Sequence, residues 1–298
     1  MVHPRAQQRD LADAFAYCEH LAKSHYENFT VVSWFLPKSI RASMYAVYAF
    51  CRHTDDLGDE AAGDRLALLG AWETDLWRCY GGEPEHLILL ALQATIRLHD
   101  IPAEPFLKLI EANRMDQRIS RYETYDDLLR YCDHSANSVG HMVLHVFGYA
   151  DVKRHTLSDA TCTALQLANF LQDIRHDFAN GRIYLPREDL YRFGYTEQLM
   201  ERDEYNAAFR DLVAFEVARA RALFLQGAPL TDLVGPRLRL DLRLFTQGGM
   251  AVLDAIEARN YDVLSRRPVV SKAVKARLFL AGIGDLAAQK AFGRRVHG

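Results

Sequence analysis

Apolar positions recur at helical spacing along most of the chain, through Ala12 to His25, Arg41 to Ala61, Leu66 to Tyr80, Leu87 to His99, Tyr125 to Phe147, Leu157 to Phe178, Tyr205 to Leu225 and Leu238 to Arg259. Strand-like alternation is nearly absent. Helix breakers fall between these stretches, at Pro37, Gly81-Gly82 with Pro84, Pro102 with Pro105, Gly181 to Pro186, Pro229 with Pro236, and Pro268. The pattern predicts an all-α chain of about eight to eleven helices. No Ser-, Gly- or Pro-rich linker, solenoid repeat or low-complexity tract interrupts it, so one domain over residues 1–298 is the simplest organisation.

Composition narrows the function classes. Hydrophobic residues at 49% and charged residues at 25% belong to a folded globular chain rather than a disordered one. Lys plus Arg total 36 against 39 Asp plus Glu, which leaves no global field for nucleic acid, so an anionic ligand has to be held locally. The cysteines Cys18, Cys51, Cys79, Cys132 and Cys162 form no C-x-x-C pair and no zinc spacing, and they predict core residues of a reducing cytosol. The N-terminal residues contain no apolar signal region and no stretch approaches the ~20 apolar residues of a spanning helix, so a cytoplasmic location is expected. Peripheral contact with a membrane surface stays open, since a fatty substrate would favour it, although no strongly basic amphipathic helix stands out.

Two acidic clusters carry candidate chemistry. In the first, Met44, Val47, Tyr48 and Cys51 define the buried stripe of a helix. Continued at ~100° per residue, the stripe reaches Asp55 at its centre and Asp59 within ~60°, which predicts carboxylates that point inward. Like charges one turn apart need a compensating cation, and Mg²⁺ suits Asp55-Asp56-Leu57-Gly58-Asp59 because it combines one or two carboxylates with water and phosphate oxygens. Arg52 is placed to offer the same phosphate a guanidinium. The plain alternative is a solvated acidic helix end, and Leu57-Gly58 leaves room for a kink or end there.

In the second cluster Asn169, Asp173 and Asp177 follow at i+4 steps and share one helix face, each step rising ~6 Å. The apolar stripe there is Leu167, Phe170, Leu171, Ile174 and Phe178, so an amphipathic helix with a polar outer face also accounts for the row. Thr163-Ala164-Leu165 makes the approach apolar on both sides, as expected of a central helix beside a cavity. Together the clusters suit ionisation of an isoprenoid diphosphate, with cations neutralising the departing pyrophosphate and aromatic faces stabilising a carbocation away from water. His141 and His145 lie at i, i+4 without an H-E-x-x-H glutamate or a third ligand, and they predict structural residues. No G-x-S-x-G, P-loop or G-x-G-x-x-G string is present, so no nicotinamide cofactor is indicated.

At these residues the chain resembles the squalene/phytoene synthase family. The resemblance runs through His25-Tyr26-Glu27-Asn28-Phe29, Leu36-Pro37, Tyr45 to Arg52 leading into Asp55-Asp56 and Asp59, Tyr131-Cys132, Ser135 to Gly140, and Gln166 to Pro186 with its Gly181-Arg182-Ile183-Tyr184-Leu185-Pro186 end. It implies an all-α, single-domain isoprenoid synthase bundle around a central cavity, with two acidic motifs on facing helices. Condensing members commonly carry His-Ser-x-Ser-Phe where this chain has His25 to Phe29. With both serines replaced, and with Ser135-Ala136-Asn137 and Gln172 before Asp173, the chain is most similar to the bacterial hydroxysqualene synthase branch of the hopanoid pathway.

That resemblance implies Mg²⁺ at Asp55, Asp56, Asp59, Asn169, Asp173 and Asp177, diphosphate contacts from His25, Tyr48 and Arg52, and a reaction cavity lined by Tyr131, Gln166 and Tyr184. It implies lyase or transferase chemistry on presqualene diphosphate, with water as acceptor and no NADPH. Asn28, Asn137 and Tyr184 are candidates for placing that water, each with an ordinary structural explanation. A tyrosine common in related synthases is Met250 here, after Gly248-Gly249, and its role is not transferred. Contact with sister hopanoid-pathway enzymes stays open. The rivals are a condensing enzyme that joins two prenyl diphosphates, and a non-catalytic assembly protein, against which the retained acidic spacing counts.

Overall fold

Helix α1 (Pro4–His25) opens the chain in a computed structural model that describes residues 4–25 and 38–271, together with 274 and 277. Then follow α2 (Lys38–Asp59), α3 (Arg65–Gly81), α4 (Leu87–His99), α5 (Glu104–Asp116) and α6 (Tyr125–Cys132). A π turn (Asp133–Asn137) leads into α7 (Ser138–Val146), α8 (Val152–Ala179), α9 (Arg187–Phe193), α10 (Glu197–Glu201) and α11 (Ala207–Gly227), and a 3₁₀ turn (Ala228–Asp232) precedes α12 (Pro236–Glu257). Apart from one isolated bridge between Arg121 and Ile183, the described residues are helical or irregular. None of their helices is long and apolar enough to cross a membrane.

Local chemistry sets the helix ends. Asp64 accepts from the Ala67 N–H at 3.0 Å and Asn206 from the Phe209 N–H at 3.0 Å, each side chain satisfying an orphan donor of the first turn. His86 does the same for α4, its Nδ1 accepting from Ile88 N–H at 3.2 Å. Pro102 lies in the break between α4 and α5, as expected, whereas Pro105 sits inside the first turn of α5, where its missing N–H costs nothing. The segment Tyr125 to Phe147 is helical through Val146, and a π turn at Asp133–Asn137, which includes the Ser135-Ala136-Asn137 string, interrupts its α-helical hydrogen bonding.

The described residues group into two compact units. The first consists of described residues within Met1–Ile119 and Asp133–His155. Its core is built around Phe50, Trp72, Leu89, Leu92, Phe106 and Ile110, with Phe50 stacked on Trp72 at 5.6 Å and edge-on to Phe106 at 5.1 Å. The second consists of described residues within Ser120–Cys132 and Thr156–Gly298, with Leu167, Leu171, Phe209, Val213, Phe224 and Leu253 buried. Here Gly249 lets α12 approach closely: a Cβ in its place would stand 2.4 Å from the Phe224 ring.

Candidate functional site

Along α2 the predicted stripe emerges from the core. Met44 and Val47 are buried, Tyr48 and Cys51 half-buried, and Asp55 and Asp59 exposed. The expected inward burial of the two carboxylates is therefore corrected: the stripe runs past the end of the apolar packing before it reaches them. Asp55 is nonetheless crowded. Solvent touches it, yet desolvation raises its carboxyl to about 6, with Asn113 and Arg52 pulling the value down and Asp59 and Asp56 pushing it up. Asn113 Nδ2 donates to Asp55 Oδ1 at 3.1 Å. Arg52 is engaged within its own helix, at 2.5 Å from Asp56 and 2.9 Å from Glu60. This pairing neutralises Asp56 and leaves Asp55 and Asp59 as the solvent-facing acids of the row.

In the second unit, α8 carries exposed Asn169 and half-buried Asp173 and Asp177, while Leu167, Leu171 and Ile174 face the core. Asp173 is clamped by Arg267, whose Nε donates to Oδ1 and whose Nη2 donates to Oδ2 at 2.9 Å. The neighbouring Gln172 is buried, accepts from Arg267 Nη2 at 3.1 Å and donates to Pro268 O at 2.6 Å. A fork-to-carboxylate pair of this kind is the strongest of the ordinary polar contacts, so a cation at Asp173 has to compete with it.

Beside that row stands a wall of four rings. Phe170 and Tyr184 stack at 3.8 Å with planes 5° apart, and Tyr131 lies 5.7 Å and Tyr122 5.8 Å from Tyr184. Arg121 fixes the strip that brings Tyr184 there: its Nη1 donates to Gly181 O at 2.7 Å and its Nε to Glu197 at 3.1 Å, while Ile183 N–H donates to Ser120 O at 2.9 Å. A small open pocket at the rings is lined by Leu128, Leu167, Phe170, Ile174 and Tyr184 together with the charged Asp177, Arg182 and Glu216.

Tyr131 and Tyr184 are thus brought together, and Gln166 sits half-buried one turn before Phe170. Tyr48 packs against the core of the first unit. His25 closes α1, but its side chain lies outside the described residues, as does Asn28. Asn137, buried, ends the π turn, where Ser138 Oγ donates to His134 O at 2.6 Å. His141 and His145 join His155, with rings 4.2 Å and 5.4 Å from it. Phe170, Tyr122, Asn113 and Arg267 were not legible as site residues, since each partner is tens of positions away in the chain; only Phe170, one place after Asn169, had a local signal.

The squalene/phytoene synthase family model matches residues 22–274. The chain belongs to that family. Squalene/phytoene synthases are enzymes acting on prenyl diphosphates, within isoprenoid biosynthesis. Among solved members, the chain is similar to squalene synthase HpnC from Alicyclobacillus acidocaldarius, at 51% identity and TM-score 0.82 over 84% of this chain and 95% of that one. A dehydrosqualene synthase is similar at 27% identity and TM-score 0.84, over 95% and 99%. The 15-cis-phytoene synthase of Synechococcus elongatus is 33% identical over 90% of this chain and 91% of its own. The all-α isoprenoid synthase fold expected from sequence is the fold of these relatives.

The donor set bears on which ion such a synthase would take. Among the described residues no three His, Cys, Asp or Glu gather closely enough to hold an ion unaided. Oxygen donors arrive instead in ones and twos on accessible helix faces. That fits Mg²⁺, which keeps several waters and combines one or two carboxylates with phosphate oxygens, and it does not fit a closed zinc centre.

Proposed function

We propose that this synthase converts presqualene diphosphate and water to hydroxysqualene and pyrophosphate, with Mg²⁺ and without a hydride donor. The observation that carries the ionisation is the stack of Tyr184 on Phe170, with Tyr131 and Tyr122 beside it, where Phe170 belongs to the helix that bears Asn169, Asp173 and Asp177. Carboxylates that attract a diphosphate-bound cation and π faces that tolerate a carbocation belong to the same reaction. Asp55 and Asp59 in the first unit, and Asn169, Asp173 and Asp177 in the second, are the oxygen donors that would hold Mg²⁺, which when bound supplies positive charge against the leaving diphosphate.

In the reaction the C–O bond to diphosphate breaks, the cyclopropylcarbinyl cation rearranges, and water oxygen forms the new C–O bond as its proton leaves. Arg52 binds diphosphate once released from Asp56 and Glu60. The choice of water as acceptor rests on Tyr26 and Asn28, which stand in place of the two serines within the His25 to Phe29 string, and on Ser135 to Asn137. Sister enzymes of squalene or hopanoid synthesis and a membrane surface are the partners this substrate suggests.

A condensing reaction is the second reading, favoured by the 33% identity with a phytoene synthase over 90% of the chain. Product analysis separates the two. Presqualene diphosphate with Mg²⁺ and no NADPH should yield hydroxysqualene, and chelation should stop it. Unchanged presqualene diphosphate, with consumption of farnesyl or geranylgeranyl diphosphate alone, would establish the condensing enzyme instead.

A further inference from the structure

Asn113 lies in the last turn of α5 and Gln117 follows that helix as its C-cap, and both reach the end of α2. Asn113 is 6% exposed, and its Nδ2 donates to Asp55 Oδ1 at 3.1 Å and to Leu109 O at 3.1 Å. Two acceptors on one side fix which way the amide faces, so Oδ1 is turned towards Gly58. A Cβ at residue 58 would stand 2.2 Å from that oxygen, so glycine is what admits the amide. Gln117 Nε2 donates to Gly58 O at 2.9 Å and to Asn113 O at 3.1 Å. Gly58 O is one of the last carbonyls of α2, which have no partner within the helix, so Gln117 caps the turn on which Asp55 and Asp59 ride.

On the opposite side, Trp72 Nε1 donates to Thr54 Oγ1 at 2.9 Å, and Thr54 Oγ1 donates to Phe50 O at 2.8 Å, pinning the turn just before Asp55. A buried amide needs its donors satisfied, but backbone carbonyls would serve. Here half of that capacity goes to a solvent-facing carboxylate. One oxygen of Asp55 is thereby committed and the rotation of the group is fixed, which gives the second oxygen a defined direction.

We propose that Asn113 and Gln117 form an amide clamp that orients Asp55 for cation binding, with Asn113 a positioning residue that acts through the carboxylate. The proposal rests on the Mg²⁺-dependent diphosphate reading above. Partners that orient a metal ligand typically matter about 10- to 100-fold in affinity when removed.

The test is Mn²⁺ binding to the full chain in the presence of pyrophosphate, read by electron paramagnetic resonance, with thermal melts as the folding control. Asn113→Leu should weaken binding about tenfold or more, whereas Ile110→Val, a buried change on the same helix, should leave it unaltered. Wild-type binding with an equal affinity in Asn113→Leu overturns the clamp and leaves the diphosphate reading intact. No Mn²⁺ binding by the wild type overturns that reading, and the clamp with it. Should Asn113→Leu fail to melt cooperatively, Asn113→Asp decides, because it keeps the volume and turns the donor into an acceptor; unchanged affinity there also overturns the proposal.

Discussion

Replacing Asp241 by asparagine should stabilise the protein at neutral and alkaline pH. Asp241 lies on α12, is 5% exposed, and its Oδ1 has no hydrogen-bond partner among the described residues. Burial alone raises its carboxyl from 3.8 to about 7. An acid raised in this way favours the folded state fully below its unfolded value and loses that advantage as pH climbs through the folded one. The gap of about 3 units corresponds to ~4 kcal/mol, which works against folding once the pH exceeds about 7. Asparagine cannot ionise, but its amide meets the same shortage of partners at a cost of ~1 kcal/mol, leaving a net gain of ~3 kcal/mol. In a chain of this size that is a rise in melting temperature of about 5 °C. Thermal melts of both proteins between about pH 5 and about pH 8 read the effect, and the curves should converge on the acidic side. Parallel curves, or a wild-type stability flat across that interval, would refute the argument.

The charged cluster around Arg219 makes a second prediction. Its Nη1 donates to Asp189 at 2.5 Å and to Glu216 at 3.0 Å, both buried, and its guanidinium lies over the rings of Tyr125 at 4.0 Å and Phe215 at 4.3 Å. Burial, then Asp189, pushes Glu216 upward against the pull of Arg219, so Arg219→Leu should cost about 3–5 kcal/mol in urea unfolding, with most of it recovered by adding Asp189→Asn and Glu216→Gln. A loss below ~1 kcal/mol would show that the carboxyls find other partners. A third concerns Asp55, whose carboxyl sits at about 6 and must be ionised to hold a cation. The Mg²⁺ concentration for half-maximal turnover should rise as pH falls through about 6, and a requirement independent of pH there would remove Asp55 from the metal site.

Periodicity carried the long helices, because their core faces are unbroken at 3.6-residue spacing. It failed where a local signal has two meanings. Pro105 reads as a breaker, but a proline in the first turn of a helix is indistinguishable in sequence from one that ends a helix. The π turn at Asp133–Asn137 keeps the flanking apolar spacing and so hides inside an apparently continuous helix. The wheel placed Asp55 correctly on the stripe of Met44 and Val47 but could not say where the packing against that stripe stops. Phe170 was legible as core and not as the partner of Tyr184, since the strip that Arg121 holds in place brings the second ring from another part of the chain. Arg267 on Asp173 and Asn113 on Asp55 are long-range pairings of the same kind, 94 and 58 positions apart.

The boundaries of the two units fall between Ile119 and Ser120, between Cys132 and Asp133, where α6 passes into the π turn, and between His155 and Thr156 inside α8. The first unit therefore cannot finish assembling on the ribosome until residue 155 has emerged, by which time the opening piece of the second, Ser120–Cys132, has already been synthesised and waits for the rest. Neither unit corresponds to a single uninterrupted stretch of the chain, so neither can be excised as one continuous piece without cutting into the other.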